Sequence, residues 1–293
     1  MPRYLFLICL IILLIIESSG SVYALHLPRI ERDITYCSCH EFPLKLDIYY
    51  PENGGKLSPA ILYIHGGGWY SGDKEDRSYR DLLQSLVKRG YLVAAVDYRL
   101  APRNKFPAQL EDVSCALHFL ITNSVSYGIE PDRIGIMGES AGGHLAALLA
   151  LKESCCNNVQ TNYSSDRVRA VVDMFGPVDL SIFFENNKSM LIEHVFNTDD
   201  PECDIIRIAS PINYVTGNAP PFLIIQGEKD TVVQPEQSLI LYQKLRSYGA
   251  TTSLIIVKNA GHELKPDGGP LDPSRKEIIQ QIGDFFDCYL KQN

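Results

Sequence analysis

A short segment near the middle of the chain carries a serine whose neighbours favour nucleophilic chemistry. Gly138-Glu139-Ser140-Ala141-Gly142 fits the pattern G-x-S-x-G and lies between a strand-like run and a helix-like run. We expect the serine to occupy a strained turn that exposes its hydroxyl, because side chains at the two glycines would collide with neighbouring backbone. The helix that follows would direct its N–H groups and positive dipole end at the site. Ser140 is therefore predicted to be a nucleophile.

A serine hydroxyl is a poor nucleophile without a base, and His262 is the best placed of the seven histidines. His262 follows the last strand-like run, where a loop would leave the carboxyl end of the strand, and reactive groups collect at that edge of open α/β sheets. His144 lies four residues after Ser140, and a side chain at that helical spacing points along the helix. His65 precedes a run of glycines and is expected to brace that loop.

The imidazole of such a base needs a carboxylate that fixes its tautomer and stabilises its cation. Asp230 follows the strand-like run "FLIIQG", so the chain order is Ser140, Asp230, His262, which is the order of the α/β-hydrolases. Glu228 is the rival two residues earlier. Asp267 lies on the histidine's own loop and is too close to it in sequence. We therefore predict Asp230 as the orienting acid.

Three consecutive glycines, Gly66, Gly67 and Gly68, stand in the segment "AILYIHGGGWYSGDK". Glycine loses more backbone entropy on folding than any other residue, so the triplet needs a physical reason. By itself it indicates a tight turn. Trp69, the one tryptophan of the chain, is expected to pack under or beside this loop, with a wall facing the substrate as the alternative.

The elements that must position these residues alternate along the chain. Short continuous runs rich in Ile, Val and Leu are typical of strands buried on both faces, and amphipathic segments of helical length separate them. The runs lie at residues 60–65, 91–98, 133–138, 170–175, 222–227 and 253–258. Such alternation predicts the α/β class, with a mostly parallel sheet covered by helices on both faces. The earlier segment "PLKLDIYYP" predicts an antiparallel edge strand or a hairpin.

Residues 177–221 interrupt this alternation, because their apolar residues follow no clean period. The interval could form a small cap over the site or an ordinary packed insertion, and we favour the cap. We expect a single hydrolase domain over residues 25–293.

The first 24 residues look like a targeting segment. Arg3 supplies a positive charge, residues 5–16 are apolar, and Val22-Tyr23-Ala24 offers small residues where a signal peptidase reads. Twelve apolar residues are fewer than the roughly 20 that span a bilayer. We therefore predict a signal peptide over residues 1–24 and a secreted or periplasmic protein with no stable membrane association; an uncleaved N-terminal anchor is the alternative.

Charge and cysteine spacing exclude several other functions. The net charge is −8 without a cluster of Lys and Arg, which argues against nucleic acid and against anionic membrane surfaces as partners. The segment "CSCH" at residues 37–40 has neither the C-x-x-C spacing of a zinc site nor the spacing of haem attachment. No metal site is predicted there.

Taken together, these motifs resemble those of known esterases. The segments His65–Trp69 and "GESAGG", with the Asp230 and His262 pair, resemble the α/β-hydrolase serine esterases. Residues 96–113, "VDYRLAPRNKFPAQLEDV", resemble a block of the hormone-sensitive-lipase-like carboxylesterases. "GESAGGHLA" and residues 230–263 are similar to the bacterial feruloyl/acetyl-xylan esterase-like branch. The hormone-sensitive-lipase-like carboxylesterases usually have Asp where this chain has Glu139. This difference favours the feruloyl/acetyl-xylan esterase-like branch.

The resemblance implies ester hydrolysis through an acyl-enzyme, with no metal or organic cofactor. It implies Ser140 as nucleophile, His262 as general base and acid, Asp230 as its orienting acid, and an oxyanion hole formed by the backbone N–H groups of Gly67, Gly68 and Ala141, with Gly66 in reserve. The substrates implied are small esters with a short acyl chain or an aryl or acetyl group, or esterified plant polysaccharides. An aryl formamidase, an acyltransferase and a non-catalytic binding protein on a hydrolase scaffold are the alternatives.

Overall fold

The structure is a computed structural model that describes residues 29–38, 43–52, 57–152, 168–186 and 190–291. The predicted signal peptide at residues 1–24 lies outside these ranges, as does part of the "CSCH" segment. Among the described helices, none has the length and apolar character that a membrane span requires.

The described residues form one eight-stranded sheet with the order β1-β2-β4-β3-β5-β6-β7-β8. Its strands are β1 Ile30–Cys37, β2 Leu44–Tyr49, β3 Ser58–Ile64, β4 Leu92–Val96, β5 Ile129–Glu139, β6 Val168–Met174, β7 Phe222–Gly227 and β8 Thr252–Val257. The pairs β1–β2 and β2–β4 are antiparallel, and the other neighbours are parallel. The predicted mostly parallel sheet is confirmed.

Helices cover the sheet on both faces. They are α1 Arg80–Lys88, α2 Ala108–Thr122, α3 Ser124–Tyr127, α4 Ala141–Leu151, α5 Leu180–Asn186, α6 Met190–Phe196, α7 Asp204–Ala209, α8 Pro235–Ser247 and α9 Arg275–Leu290. Buried side chains of α2, α4 and α8 form one core layer, and those of α1 and α9 form the other. The central strands between these layers are buried on both sides, which is why they read as unbroken apolar runs.

The segment "PLKLDIYYP" forms β2, which is the inner strand of an antiparallel hairpin with β1. One edge of the sheet is β1, whose sequence "IERDITYC" is mostly exposed or half-buried. Polar residues that face solvent on an edge strand give no apolar alternation. The sequence therefore indicates β2 and not β1.

The carboxyl ends of four parallel strands meet at one edge of the sheet. The glycine triplet follows β3, Ser140 follows β5, Asp230 follows β7 and His262 follows β8. Residues 177–221 contribute α5, α6, α7 and a 3₁₀ turn at Pro211–Tyr214. The predicted boundaries of the hydrolase domain and of this cap stay predictions.

Candidate active site

Ser140 occupies a strained turn between β5 and α4, with φ 52° and ψ −118°. Its backbone N–H donates to the carbonyl oxygen of Met174 at 2.9 Å. A Cβ atom at Gly138 would lie 2.2 Å from the carbonyl oxygen of Gly142, and one at Gly142 would lie 2.1 Å from that of Ile64. Both glycines are therefore required by close backbone approach, as the G-x-S-x-G pattern predicts.

The structure brings Ser140, His262 and Asp230 together. Ser140 Oγ lies 3.1 Å from His262 Nε2, and His262 Nδ1 lies 2.8 Å from Asp230 Oδ2. A carboxylate only accepts, so Nδ1 carries the proton and Nε2 faces the hydroxyl as an acceptor. This arrangement can transfer the serine proton to the imidazole while the carboxylate stabilises the resulting cation.

The two rival carboxylates lie elsewhere. Glu228 is exposed and its Oε2 accepts a hydrogen bond from the backbone N–H of Asn259 at 3.3 Å. Asp267 is also exposed, on the loop that follows His262. Asp230 is therefore the carboxylate that orients the imidazole ring in this structure.

Asp230 is buried and held by four protein donors. Its Oδ1 accepts from the backbone N–H groups of Val232 and Val233, both at 2.9 Å. Its Oδ2 accepts from Gln226 Nε2 at 3.3 Å as well as from His262. The Ser238 hydroxyl donates to Gln226 Oε1 at 2.7 Å and so fixes which end of the amide faces Asp230. Sequence reasoning missed Gln226, because a glutamine inside an apolar strand carries no motif.

A second residue missed by sequence reasoning is Phe175, which directly follows β6. Its backbone has φ 46°, and its ring meets the His262 ring edge to face at 5.1 Å. The contact supports the imidazole ring that Asp230 orients. A single phenylalanine after a strand gave no signal that could have indicated this role.

The glycine loop adopts backbone angles that side chains disfavour. Gly67 has φ 104° and Gly68 has φ 60°, and a Cβ atom at Gly67 would lie 2.2 Å from the carbonyl oxygen of Ser71. The Gly66 N–H donates to Glu139 Oε1 at 2.5 Å. Across the described ranges, the N–H groups of Gly67, Gly68 and Ala141 make no hydrogen bond to protein.

His65 and Tyr98 support this loop through its backbone carbonyl oxygens. The His65 ring stacks on Tyr98 at 4.3 Å and places its Nδ1 2.7 Å from the carbonyl oxygen of Gly66. The Tyr98 hydroxyl donates to the His65 carbonyl oxygen at 3.0 Å. His65 therefore holds the loop in place and does not approach the Ser140 hydroxyl.

Glu139 lies between the serine and the glycine loop, with its side chain buried. Burial raises its pKa to about 8, while the hydrogen bond from Gly66 opposes that rise and the carboxylates of Asp76 and Glu263 add to it. The carboxyl group is thus neutral at pH 7. A neutral acid next to the serine leaves this part of the site without an extra negative charge.

A cavity of about 300 Å³ opens above Ser140 and His262. Pro177, Phe183 and Val233 form a buried apolar wall, whereas Tyr70 and Val232 are exposed at the mouth. Among the described residues, no three His, Cys, Asp or Glu side chains are grouped to hold a metal ion. Ser140, His262 and the residues of the glycine loop line this cavity.

Comparison with known proteins identifies the family to which this chain belongs. Residues 46–245 match the model of the BD-FAE family. The chain belongs to the BD-FAE family. The resemblance to esterases of the α/β-hydrolase fold, stated above from the sequence motifs, is confirmed by this match and by the relatives that follow.

Two curated relatives and one solved structure illustrate what this BD-FAE chain is similar to. Esterase LipQ of Mycobacterium tuberculosis is 34% identical over 217 residues, which cover 71% of this chain and 51% of LipQ. The probable isoprenylcysteine alpha-carbonyl methylesterase ICMEL1 of Arabidopsis thaliana is 26% identical over 276 residues, which cover 90% of this chain and 56% of that protein. A structure described as a truncated form of carbohydrate esterase from gut microbiota superposes with a TM-score of 0.76 at 26% identity, covering 90% of this chain and 97% of that one. The BD-FAE chain thus spans about half the length of these curated relatives.

Proposed function

We propose that this protein is a serine carboxylic-ester hydrolase that works through an acyl-enzyme. The observation that carries the proposal is the pair of contacts of His262, 3.1 Å from Ser140 Oγ and 2.8 Å from Asp230 Oδ2. A hydroxyl, a base and an orienting acid in this order form the arrangement that activates serine for acyl transfer. The names of the relatives, which include esterases and a carbohydrate esterase, support the same reaction class.

In the first half of the reaction, Ser140 Oγ attacks the ester carbonyl carbon and forms a new C–O bond. His262 Nε2 accepts the hydroxyl proton, and Asp230 stabilises the imidazolium that results. The carbonyl oxygen takes the electron pair and becomes an oxyanion, which accepts hydrogen bonds from the backbone amides of Gly67, Gly68 and Ala141. Each such donor contributes on the order of 3 kcal/mol to the barrier reduction.

The tetrahedral intermediate then collapses. The bond from the carbonyl carbon to the alcohol oxygen breaks, and His262 gives its proton to the departing alcohol. Water repeats the sequence on the acyl-enzyme: His262 takes a proton from water, hydroxide adds to the carbonyl carbon, and the proton returns to Ser140 Oγ as the acid leaves. Serine, imidazole and carboxylate are all regenerated, so no co-reactant besides water is needed.

The direct test is hydrolysis of p-nitrophenyl acetate and butyrate by the wild-type protein and by Ser140→Ala. Loss of the nucleophile in a triad hydrolase costs about 10⁶ in kcat. A fluorophosphonate probe should label the wild-type protein at Ser140 and leave the variant unlabelled. Wild-type activity in Ser140→Ala would refute the assignment, and absence of labelling in the wild type would favour a binding protein on a hydrolase scaffold.

For the substrate, we propose short-chain, aryl or acetyl esters, with acetyl or feruloyl esters of plant polysaccharides among them. A cavity of about 300 Å³ is at the small end of ligand sites, and its exposed mouth leaves room for a large alcohol. A panel of p-nitrophenyl esters of graded acyl length, methyl ferulate and acetylated xylan separates these choices. N-formyl aryl amides as added substrates, and a competing alcohol as added acceptor, distinguish an aryl formamidase and an acyltransferase.

We also propose that the protein is exported with residues 1–24 removed as a signal peptide. The basic residue, the apolar run and the small residues before position 25 support this proposal. Expression of the full chain followed by N-terminal sequencing of the protein outside the cytoplasm tests it. Recovery of the intact leader in the membrane fraction would favour the N-terminal anchor.

A further inference from the structure

Trp69 follows the glycine triplet directly and is one of the most completely buried large side chains of the described chain. Its backbone has φ 64°, a conformation that a bulky residue adopts only when its surroundings hold it there. The indole Nε1–H donates to His144 Nδ1 at 3.1 Å, and the two rings meet edge to face at 5.1 Å. The loop of residues 66–69, here called the oxyanion loop, is therefore tied at its end to His144.

His144 lies on α4, one helical turn after Ser140, and is wholly buried. Its Nε2 lies 2.7 Å from the carbonyl oxygen of Ala209, at the end of α7. A carbonyl only accepts, so Nε2 carries the proton and Nδ1 is the acceptor for Trp69. Burial lowers the pKa of His144 to about 4, so the ring stays neutral and keeps this tautomer at neutral pH.

Aromatic contacts join Trp69 to the cap from another side. The Trp69 ring meets the Phe196 ring of α6 at 5.5 Å, nearly perpendicular, and Phe196 contacts Phe184 of α5 at 5.5 Å. The Trp69 carbonyl oxygen accepts from the Ala101 N–H at 3.0 Å. The indole is thus held between α4, the helix that begins directly after Ser140, and the helices of residues 180–209.

The glycines that precede Trp69 have no side chains by which neighbouring residues could hold them. The carbonyl oxygens of Gly66 and Gly67 share peptide planes with the N–H groups of Gly67 and Gly68, and they accept hydrogen bonds from the Tyr98 hydroxyl at 3.3 Å and from the Ser71 N–H at 3.0 Å. Glycine φ angles stay open to many other conformations, so the direction of these amides also depends on how firmly the two loop ends are fixed. Donors that stabilise an oxyanion contribute most when they are fixed before the charge develops. The hydrogen bonds of Trp69 and His144 fix one of those two ends.

We propose that Trp69 and His144 are positioning residues that transmit the placement of the cap helices to the amides of Gly67 and Gly68. This inference rests on the proposed esterase function and deepens it. In this arrangement the cap acts as a support for the oxyanion loop, so a change in the Trp69–His144–Ala209 chain alters the rate of the chemical step. Trp69 also lines the cavity, so a variant that keeps an aromatic ring at position 69 should change substrate binding much less than the chemical step.

Three variants test the inference on the full protein with p-nitrophenyl acetate. Trp69→Phe removes the indole N–H and keeps an aromatic ring, His144→Phe removes both ring nitrogens, and His144→Gln offers an amide oxygen for Trp69 and an amide N–H for Ala209. Tyr91→Phe is the matched control, because the Tyr91 hydroxyl donates to Asp287 at 2.7 Å on the other face of the sheet. Thermal unfolding of each variant shows whether the fold is intact.

We expect kcat to fall 10- to 100-fold in Trp69→Phe and His144→Phe with KM within threefold, and affinity for a trifluoromethyl ketone, which forms a bound oxyanion, to fall in parallel. His144→Gln should recover most of kcat, and Tyr91→Phe should match the wild type. A variant that combines Trp69→Phe with His144→Phe should lose no more kcat than either single variant. Folded Trp69→Phe with wild-type kcat, or additive losses, would overturn the inference. A wild-type protein without hydrolase activity, in contrast, would refute the proposed function itself.

Discussion

The backbone N–H of Gly66 donates a hydrogen bond of 2.5 Å to Oε1 of Glu139, the residue directly before Ser140. A Cβ atom at Gly66 would lie 2.4 Å from the same carboxyl group, so the two residues pack without space between them. The Gly66 amide is thereby occupied and points at Glu139. This contact supports Gly67 and Gly68, rather than Gly66, as the donors from the loop in our proposal.

The Glu139 carboxyl also predicts an alkaline limit to activity. Its pKa is raised to about 8 by burial, so the group is neutral at pH 7 and ionises above that value. The new charge would repel the carboxylates of Asp76 and Glu263, and it would lie near the hydroxyls of Tyr63, Tyr79 and Tyr98, whose pKa values are raised by burial first and by the Glu139 carboxyl second. We expect kcat/KM of the wild type to fall above pH 8, because a buried anion opposes a developing oxyanion.

Glu139→Gln separates this effect from other alkaline effects. Glutamine keeps an oxygen acceptor for the Gly66 N–H and cannot ionise, so kcat/KM at pH 7 should stay within about fivefold and the fall above pH 8 should vanish. Stability gives an independent check. The folded-state pKa lies above the usual 4.5, so stability that depends on neutral Glu139 is complete below pH 4.5 and is lost as the pH rises through about 8. The same alkaline profile in wild type and Glu139→Gln would contradict the prediction.

Asp230→Asn should lower kcat strongly with little change in fold. The asparagine can keep the Val232 and Val233 N–H bonds on its oxygen, but its amide then faces His262 Nδ1 as a donor and favours the wrong tautomer. The equivalent change in a serine protease triad lowers kcat about 10⁴-fold. Glu228→Gln is the control, since that exposed carboxylate only accepts from Asn259. Steady-state kinetics on p-nitrophenyl butyrate measures kcat for both variants. Equal losses of kcat in Asp230→Asn and Glu228→Gln would mean that Asp230 does not orient the base.

Much of this architecture could be predicted because the central strands are buried on both faces. Strands β3 to β8 show as apolar runs, and each side chain of the proposed triad lies within five residues after the end of one of them, so order along the chain fixes the edge of the sheet where they meet. The need for glycine at both glycine positions of G-x-S-x-G could be predicted from steric arguments. A Cβ atom at these positions would lie only 2.1 or 2.2 Å from a backbone carbonyl oxygen.

The rest depends on which side chains the loops and neighbouring elements bring together in three dimensions. Gln226 reaches Asp230 only because a loop after β7 turns back on its own strand, and Phe175 reaches His262 across two strand ends. Trp69, His144 and Ala209 meet through three different elements. Periodicity reports which face of an element is apolar, but it does not report which polar atom another element brings to that face.

The close approach at the serine turn makes a further prediction about stability. Gly142→Ala would place a methyl group 2.1 Å from the carbonyl oxygen of Ile64, which belongs to the central strand β3 and cannot move without disturbing the sheet. We expect loss of several kcal/mol of the free energy of unfolding, or no folded protein. Gly217→Ala is the matched control, because the added carbon would lie 3.5 Å from the nearest atom at an exposed turn, and it should change stability by less than about 1 kcal/mol. Chemical denaturation of both variants checks this, and equal stability would show that the serine turn relaxes freely.

Phe183 is expected to set the length of the acyl chain that the site accepts. It comes from α5, is 4% exposed, and forms the buried side of the cavity with Pro177 and Val233, whereas Val232 at the mouth is 47% exposed. Phe183→Ala removes the ring from this enclosed wall, so longer acyl chains gain apolar surface to bury, worth about 0.8 kcal/mol, or roughly fourfold in kcat/KM, per added CH₂. The optimum of kcat/KM along p-nitrophenyl acetate, butyrate, hexanoate and octanoate should shift toward longer chains in Phe183→Ala and stay in place in Val232→Ala. An unchanged optimum in Phe183→Ala, or an equal shift in Val232→Ala, would mean that the acyl group binds toward the open mouth.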